Sequence, residues 1–157
     1  MSVLKKITLG ILAVLVGVGL YKLAELYSPG SYPNAETYGF DVSESELIKG
    51  VHQFKMENPQ FTPPVKFGLK EGRENANDHW YSLYFYYPES KEIIYAWTRP
   101  KGFGGSTTLG FVGINQGDEL GNWKDINRDF NSSENSIQKK KFETLILNPI
   151  RKIIDNK

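Results

Sequence analysis

The chain has 157 residues, enough for one domain of ordinary size or for a membrane anchor and a smaller domain. Hydrophobic residues make up 39% and charged residues 24%, too balanced for a disordered tail and too polar for a protein of many membrane spans. Nineteen basic and eighteen acidic residues leave a charge of +1, so no global basic field gathers nucleic acid, and zero Cys excludes disulfides, thiolate metal sites, a Cys nucleophile and a lipidated Cys anchor.

The first segment is short and basic at Lys5 and Lys6, then uncharged from Ile7 to Tyr21. Lys22 and Glu25 interrupt it, and Leu23, Ala24, Leu26 and Tyr27 continue an apolar face. A helix needs about 20 residues to cross the hydrocarbon layer. Residues 7–27 meet that if Lys22 and Glu25 snorkel to the far interface. Tyr21, Tyr27 and Tyr32 would then supply an aromatic belt. A cleaved signal peptide competes with this reading, but Ala24 is followed by Glu25-Leu26-Tyr27, and no good small-x-small cleavage site is present. A buried core helix would lack any polar face. The expectation is a single-pass signal anchor over residues 1–27, in contact with lipid through residues 7–27. Lys5, Lys6, Tyr21, Lys22 and Tyr27 would lie at the membrane interfaces. The positive-inside rule puts the N-terminus in the cytoplasm and the main domain outside it, periplasmic or at the cell surface.

Residues 28–35 read as a linker, with Pro29, Gly30 and Pro33 among serines and Asn34. The remaining domain, residues 36–157, is long enough for one core. Ser43 and Glu46 have capping-box spacing, and Leu47, Ile48, Val51 and Phe54 recur at helical period until Asn58-Pro59 ends the run. Residues 60–64 read as extended and residues 72–78 as a loop. Residues 79–87 are a strand by their aromatic content, residues 88–91 a turn, and residues 93–98 the returning strand of a hairpin. A loop over residues 102–105 and a third strand over residues 107–114 follow. Leu120, Trp123, Ile126 and Phe130 suggest a helix over residues 118–130. A second helical run over residues 133–154 carries a stripe of Phe142, Leu145, Ile146, Ile150 and Ile153, with Pro149 kinking or dividing it. The order predicts an α+β domain, with an antiparallel sheet packed by helices.

Catalytic signatures are scarce. There is no G-x-S-x-G, no Walker P-loop and no H-E-x-x-H. Asp125-x-Asn127-x-Asp129 begins like a calcium loop, but Phe130 and Ser136 occupy the positions that need Gly and Glu, so these residues read as a polar helix face. Asn131-Ser132-Ser133 matches a glycosylation triplet that chance supplies readily. Asp78 and His79 adjoin, but successive strand residues point to opposite faces and cannot orient one another. His79 and His52 read as surface residues. No catalytic residue, metal or cofactor is assigned, and an envelope hydrolase using carboxylates and His79 is kept as the alternative function, beside a cleaved secreted protein.

The aromatic hairpin is the most informative feature. Trp80, Tyr84 and Tyr86 share one face, with Tyr95 and Trp97 from the partner strand. Tyr81, Leu83, Phe85 and Tyr87 share the other face with Ile94, Ala96 and Thr98. A sheet covered by helices on one side needs only one apolar face. The second is therefore a candidate partner-binding surface of Trp80, Tyr84, Tyr86, Tyr95, Trp97 and Arg99, residue types that suit protein interfaces. Lys139, Lys140, Lys141, Arg151, Lys152 and Lys157 make the last segment basic, either as a solvated face or in contact with anionic headgroups. Together these features point to a non-enzymatic, membrane-anchored protein whose exported domain binds another protein, in an accessory, immunity-type or complex-subunit role.

Overall fold

The computed structural model describes residues 8, 10–12, 14–20, 32–101 and 105–156. The described part of residues 1–33 and residues 34–157 form separate units. In the first unit, residues 8, 10–12 and 14–20 are helical. Their apolar side chains stand open, from 53% exposure at Val16 to 65% at Val14. Among the described residues no helix is long and apolar enough to cross a membrane. The expected span lies partly outside those residues, and Lys5, Lys6, Tyr21, Lys22 and Tyr27 lie wholly outside them.

The second unit is an α+β fold built on one five-stranded antiparallel sheet. Its strands are β1 (Glu36–Phe40), β2 (Tyr81–Tyr87), β3 (Glu92–Lys101), β4 (Ser106–Asn115) and β5 (Trp123–Asp125). The order is β1-β4-β3-β2, with β5 pairing the last residues of β4. The hairpin has the expected register: Tyr84 faces Tyr95 and Phe85 faces Ile94. A bulge in β4 leaves Val112 extra, because Tyr95 pairs with Gly113 and the next residue, Ala96, with Phe111.

Three helices cover one face. Helix α1 (Glu44–Glu57) opens with the expected capping box: Glu46 N–H donates to Ser43 Oγ, and Ser43 N–H donates to the Glu46 carboxylate. Helices α2 (Ser132–Phe142) and α3 (Asn148–Asp155) are joined by a π-helical turn, Glu143–Leu147. A second capping box, Asn131 with Glu134, starts α2. The glycosylation triplet thus coincides with a helix start. Leu47, Val51, Phe54, Phe142, Ile146, Leu147 and Ile150 pack with Leu83, Phe85, Ile94, Ala96, Leu109, Phe111 and Ile114 in one core. Phe142 stacks on Phe111 at 4.5 Å.

Several expectations fail here, each for a local reason. Residues 118–130 are not a helix. Gly117 and Gly121 have φ of 91° and 123°, and the buried Asn115 side chain organises the loop instead. Its Nδ2 donates to Glu119 O, and its Oδ1 accepts from the Gly121 and Asn122 N–H groups. Residues 60–64 are not simply extended, since 3₁₀ turns form at Pro59–Phe61 and Val65–Phe67. The helical run is divided ahead of Pro149, as expected, but by a π-turn in which Asn148 N–H reaches back to Glu143 O. The widened turn shifts the stripe, so Leu145 is 36% exposed and Leu147 is buried. Strand β1 has no counterpart in the sequence reading. It is held at its start by Asn127 Nδ2 on Asn34 O and by the Glu36–Lys139 ion pair, 3.1 Å.

Candidate functional site

The helices' buried side chains all join the core on one face of the sheet. Alternation puts Trp80, Ser82, Tyr84 and Tyr86 of β2 and its lead-in on the opposite face, with Ile93, Tyr95, Trp97, Arg99 and Lys101 of β3. Trp80, Tyr84, Tyr86 and Tyr95 are half-buried, and Arg99 is exposed. All six residues expected at the partner-binding surface therefore lie on one side of the sheet.

They form two aromatic groups. Tyr84 and Tyr95 stack at 5.2 Å, and Trp123 of β5 meets Tyr95 edge-on at 6.2 Å. Ser82 Oγ and Tyr95 Oη lie 3.4 Å apart. Nearer the other end, Trp80 meets Trp97 edge-on at 6.4 Å, and the Arg99 guanidinium lies over both indoles at 6.0 and 5.7 Å. Burial raises the Tyr84 pKa, and Tyr95, Glu74 and Glu71 add to the rise.

The expected centre of this surface differs in one respect. Trp97 is only 4% exposed. Its ring lies against Gly110 of the next strand and beneath Trp80 and Arg99, so it forms the floor of the face and not its crest. The crest includes Trp123, 38% exposed, which the sequence reading had placed in a helix. The available signal was the Gly121-Asn122 pair just before an aromatic residue, which favours a turn into a strand.

The outer edge of β2 is closed by a backbone bridge and by two side chains. Gly72 and Ser82 exchange backbone hydrogen bonds of 3.0 and 2.8 Å. Two residues on, the Glu71 carboxylate accepts the Tyr84 N–H at 2.8 Å, and Lys55 Nζ donates to Tyr84 O at 2.6 Å while pairing with Glu71. Burial lowers the Lys55 pKa, and Glu71 opposes that shift. A cavity of about 380 Å³ lies above this pair, walled by Pro63, Pro64, Val65, Leu69 and Tyr84.

Of the residues weighed for catalysis, Asp78 serves a turn, His52 lies on a helix and His79 borders the aromatic surface. The Asp78 carboxylate accepts the Asn75 N–H, its backbone oxygen accepts Arg73 Nε, and His79 is exposed with its ring edge-on to Trp80. His52 is exposed on α1. Asp125, Asn127 and Asp129 are not a helix face but a turn: Asn127 has φ 61°, and Asp129 accepts the Asp125 N–H. Arg128 and that N–H hold the Asp129 carboxyl down to about 2. Among the described residues no group of three or more His, Cys, Asp or Glu is placed to hold a metal ion. In the basic C-terminal segment, Lys139 and Lys141 are tied to the sheet through Glu36 and Glu92. No family model, curated protein or solved structure matches the chain.

Proposed function

We propose that this chain is a membrane-anchored, non-enzymatic protein whose exported domain binds another protein through the open aromatic face of its sheet. The observation that carries the reading is the one-sided helix cover, which leaves Trp80, Tyr84, Tyr86 and Tyr95 half-buried and Trp123 exposed on the other face of the sheet. Tyr84 and Tyr95 stack on each other, so each ring covers a face of the other. That arrangement favours packing and hydrogen bonding across a protein interface over flat stacking on a sugar or a base. The anchor rests on the uninterrupted apolar run after Lys5 and Lys6, and on the described large apolar side chains, Ile11, Leu12, Val14, Leu15, Val16, Val18 and Leu20, that stand more than half exposed. Such a helix needs lipid or protein around it.

The binding test places a photoreactive phenylalanine analogue at Tyr86, with Met56 on α1 as the control position, in the full chain in its native membranes. A discrete adduct at Tyr86 and none at Met56 is expected; no adduct, or equal adducts, would refute the reading. For the anchor, alkaline washing should leave the full chain in the membrane and release a chain lacking residues 1–33. Intact mass should retain residues 1–24. Lys101→Cys should react with a membrane-impermeant maleimide added from outside.

A further inference from the structure

We propose that the outer side of α2 and of the π-turn after it rests on the anionic headgroup layer of the bilayer that anchors the chain. The inference rests on the anchor half of the proposed function and does not use the aromatic face.

The entry of the chain into the domain is the first argument. Seven residue steps separate Tyr27, the end of the proposed anchor, from Asn34, where the second unit begins. Fully extended they reach about 25 Å at most, so an anchored domain stays within about one domain diameter of the bilayer. The entering residues are pinned to α2. Asn34 O accepts Asn127 Nδ2 at 3.0 Å, and Asn127 Oδ1 accepts Asn135 Nδ2 at 2.7 Å and Lys139 Nζ at 3.3 Å. Lys139 also pairs with Glu36. The chain therefore enters the domain beside the first turns of α2.

The side chains of that helix are the second argument. Ile137 is 61% exposed and Leu145 is 36% exposed, where a helix of a globular domain turns such residues inward. With Lys140, Lys141 and Thr144 they line one shallow groove. Residues 135–154 hold five basic residues and one acidic residue, Glu143, whose carboxylate accepts the Tyr38 hydroxyl at 3.3 Å. Lys139 and Lys141 pair with Glu36 and Glu92, while Lys140, Arg151 and Lys152 are exposed. Glu134, one turn before Ile137, closes the α2 cap. Branched apolar side chains beside lysines are the pattern of a helix lying on a bilayer: the apolar groups enter the boundary below the headgroups, and the ammonium groups meet phosphates. The excess of basic charge selects an anionic surface over a neutral one. So few groups bind weakly alone, but the anchor makes the contact intramolecular and raises its effective concentration.

The chain contains no Cys, so a single introduced thiol can be labelled without background. Full-length chains carrying Ile137→Cys, Leu145→Cys or Lys101→Cys are labelled with bimane and assembled into nanodiscs that contain a lipid with a nitroxide just below its headgroup. One set of discs is equal parts phosphatidylglycerol and phosphatidylcholine, and the other is phosphatidylcholine alone. In the anionic discs, quenching at residues 137 and 145 should be at least three times that at residue 101, which is exposed on the open face. It should fall by at least half in the neutral discs, and by at least half when Lys140→Glu is added in the anionic ones. Equal quenching at all three positions, or quenching that ignores both phosphatidylglycerol and Lys140→Glu, overturns the inference. Absence of quenching at residues 137 and 145 in chains that co-elute with the discs also overturns it, assigns the groove to protein, and leaves the anchor standing. If the full chain does not co-elute with the discs, the anchor reading falls and this contact falls with it.

Discussion

The indole of Trp97 occupies the space that a side chain on Gly110 would need. A Cβ built on Gly110 would lie 2.4 Å from two ring carbons, closer than atoms can approach. The glycine is there for this contact, and it lets the ring lie down on the sheet. Gly110→Ala must therefore displace the ring and should cost about 3 kcal/mol, like Trp97→Ala. In the Trp97→Ala background the same change should cost little, because the clash has gone. Arg99→Ala removes an exposed contact with two indoles and should cost less than about 1 kcal/mol. Denaturant melts of the four variants check this; additive costs for Gly110→Ala and Trp97→Ala would separate the two residues.

Residues 34–157 form a unit separate from the described part of residues 1–33. Produced alone, they should unfold in one cooperative transition. A broad melt, or strong dye binding before it, would show that the domain needs the first segment.

How much was legible follows from the kind of signal each element carries. The hairpin, its two faces and the Ser43–Glu46 cap could be read because alternation and capping depend on residues close in sequence. Residues 118–130 were misread because four apolar residues happened to fall at helical spacing, while the controlling contact, Asn115 with Glu119, Gly121 and Asn122, is a side chain satisfying backbone groups of a loop. Strand β1 has five residues, and its partner β4 lies some seventy residues away. No local pattern announces that pairing. Alternation alone puts the six residues of the candidate surface on one side of the sheet, but the burial of Trp97 depends on Gly110, on a strand that the hairpin pattern does not include.

The π-turn makes a second register test. In the sequence stripe Leu145 belongs to the core; in the structure Leu147 takes that place. Leu147→Ala should cost about 2–4 kcal/mol and Leu145→Ala less than about 1 kcal/mol. The reverse order in thermal melts would mean that α2 and α3 continue as an unbroken α-helix.

Lys55 and Glu71 hold the edge of β2 through the two backbone groups of Tyr84. The side chains are 10% and 25% exposed. Removing one member of a buried pair strands the other, and the partial exposure of Glu71 puts Lys55→Met at about 2–3 kcal/mol. Glu71→Gln keeps an acceptor for the Tyr84 N–H and should cost less than Glu71→Leu. The Leu variant should also speed Tyr84 amide exchange and promote concentration-dependent aggregation, because it opens a strand edge. Unchanged exchange at Tyr84 would show that the edge is closed by something else.

Four tyrosines, Tyr87 buried and Tyr38, Tyr81 and Tyr84 half-buried, should set the alkaline limit of the fold. Burial raises the pKa of Tyr38, Tyr81, Tyr84 and Tyr87, with Glu143 adding at Tyr38, Glu71 at Tyr81, Tyr95 at Tyr84 and Glu92 at Tyr87. The folded chain holds these protons more tightly than the unfolded chain does. Their contribution to stability is complete below about pH 10, the ordinary tyrosine value, and is lost as pH rises above it. Lys55 acts in the opposite direction, since its lowered pKa relieves a cost as pH climbs toward its ordinary value, but it is one group against four. The domain should therefore unfold in alkali, with the four tyrosines ionising together with unfolding. Tyr87 is the sharpest case: its ring is 2% exposed, and its hydroxyl has no hydrogen-bond partner among the described residues. Tyr87→Phe removes a buried polar atom that gains nothing, so stability at neutral pH should hold or rise by about 1 kcal/mol. The alkaline midpoint should also move to higher pH. A loss of stability in Tyr87→Phe at neutral pH would show that the hydroxyl is satisfied, and that another tyrosine sets the alkaline limit.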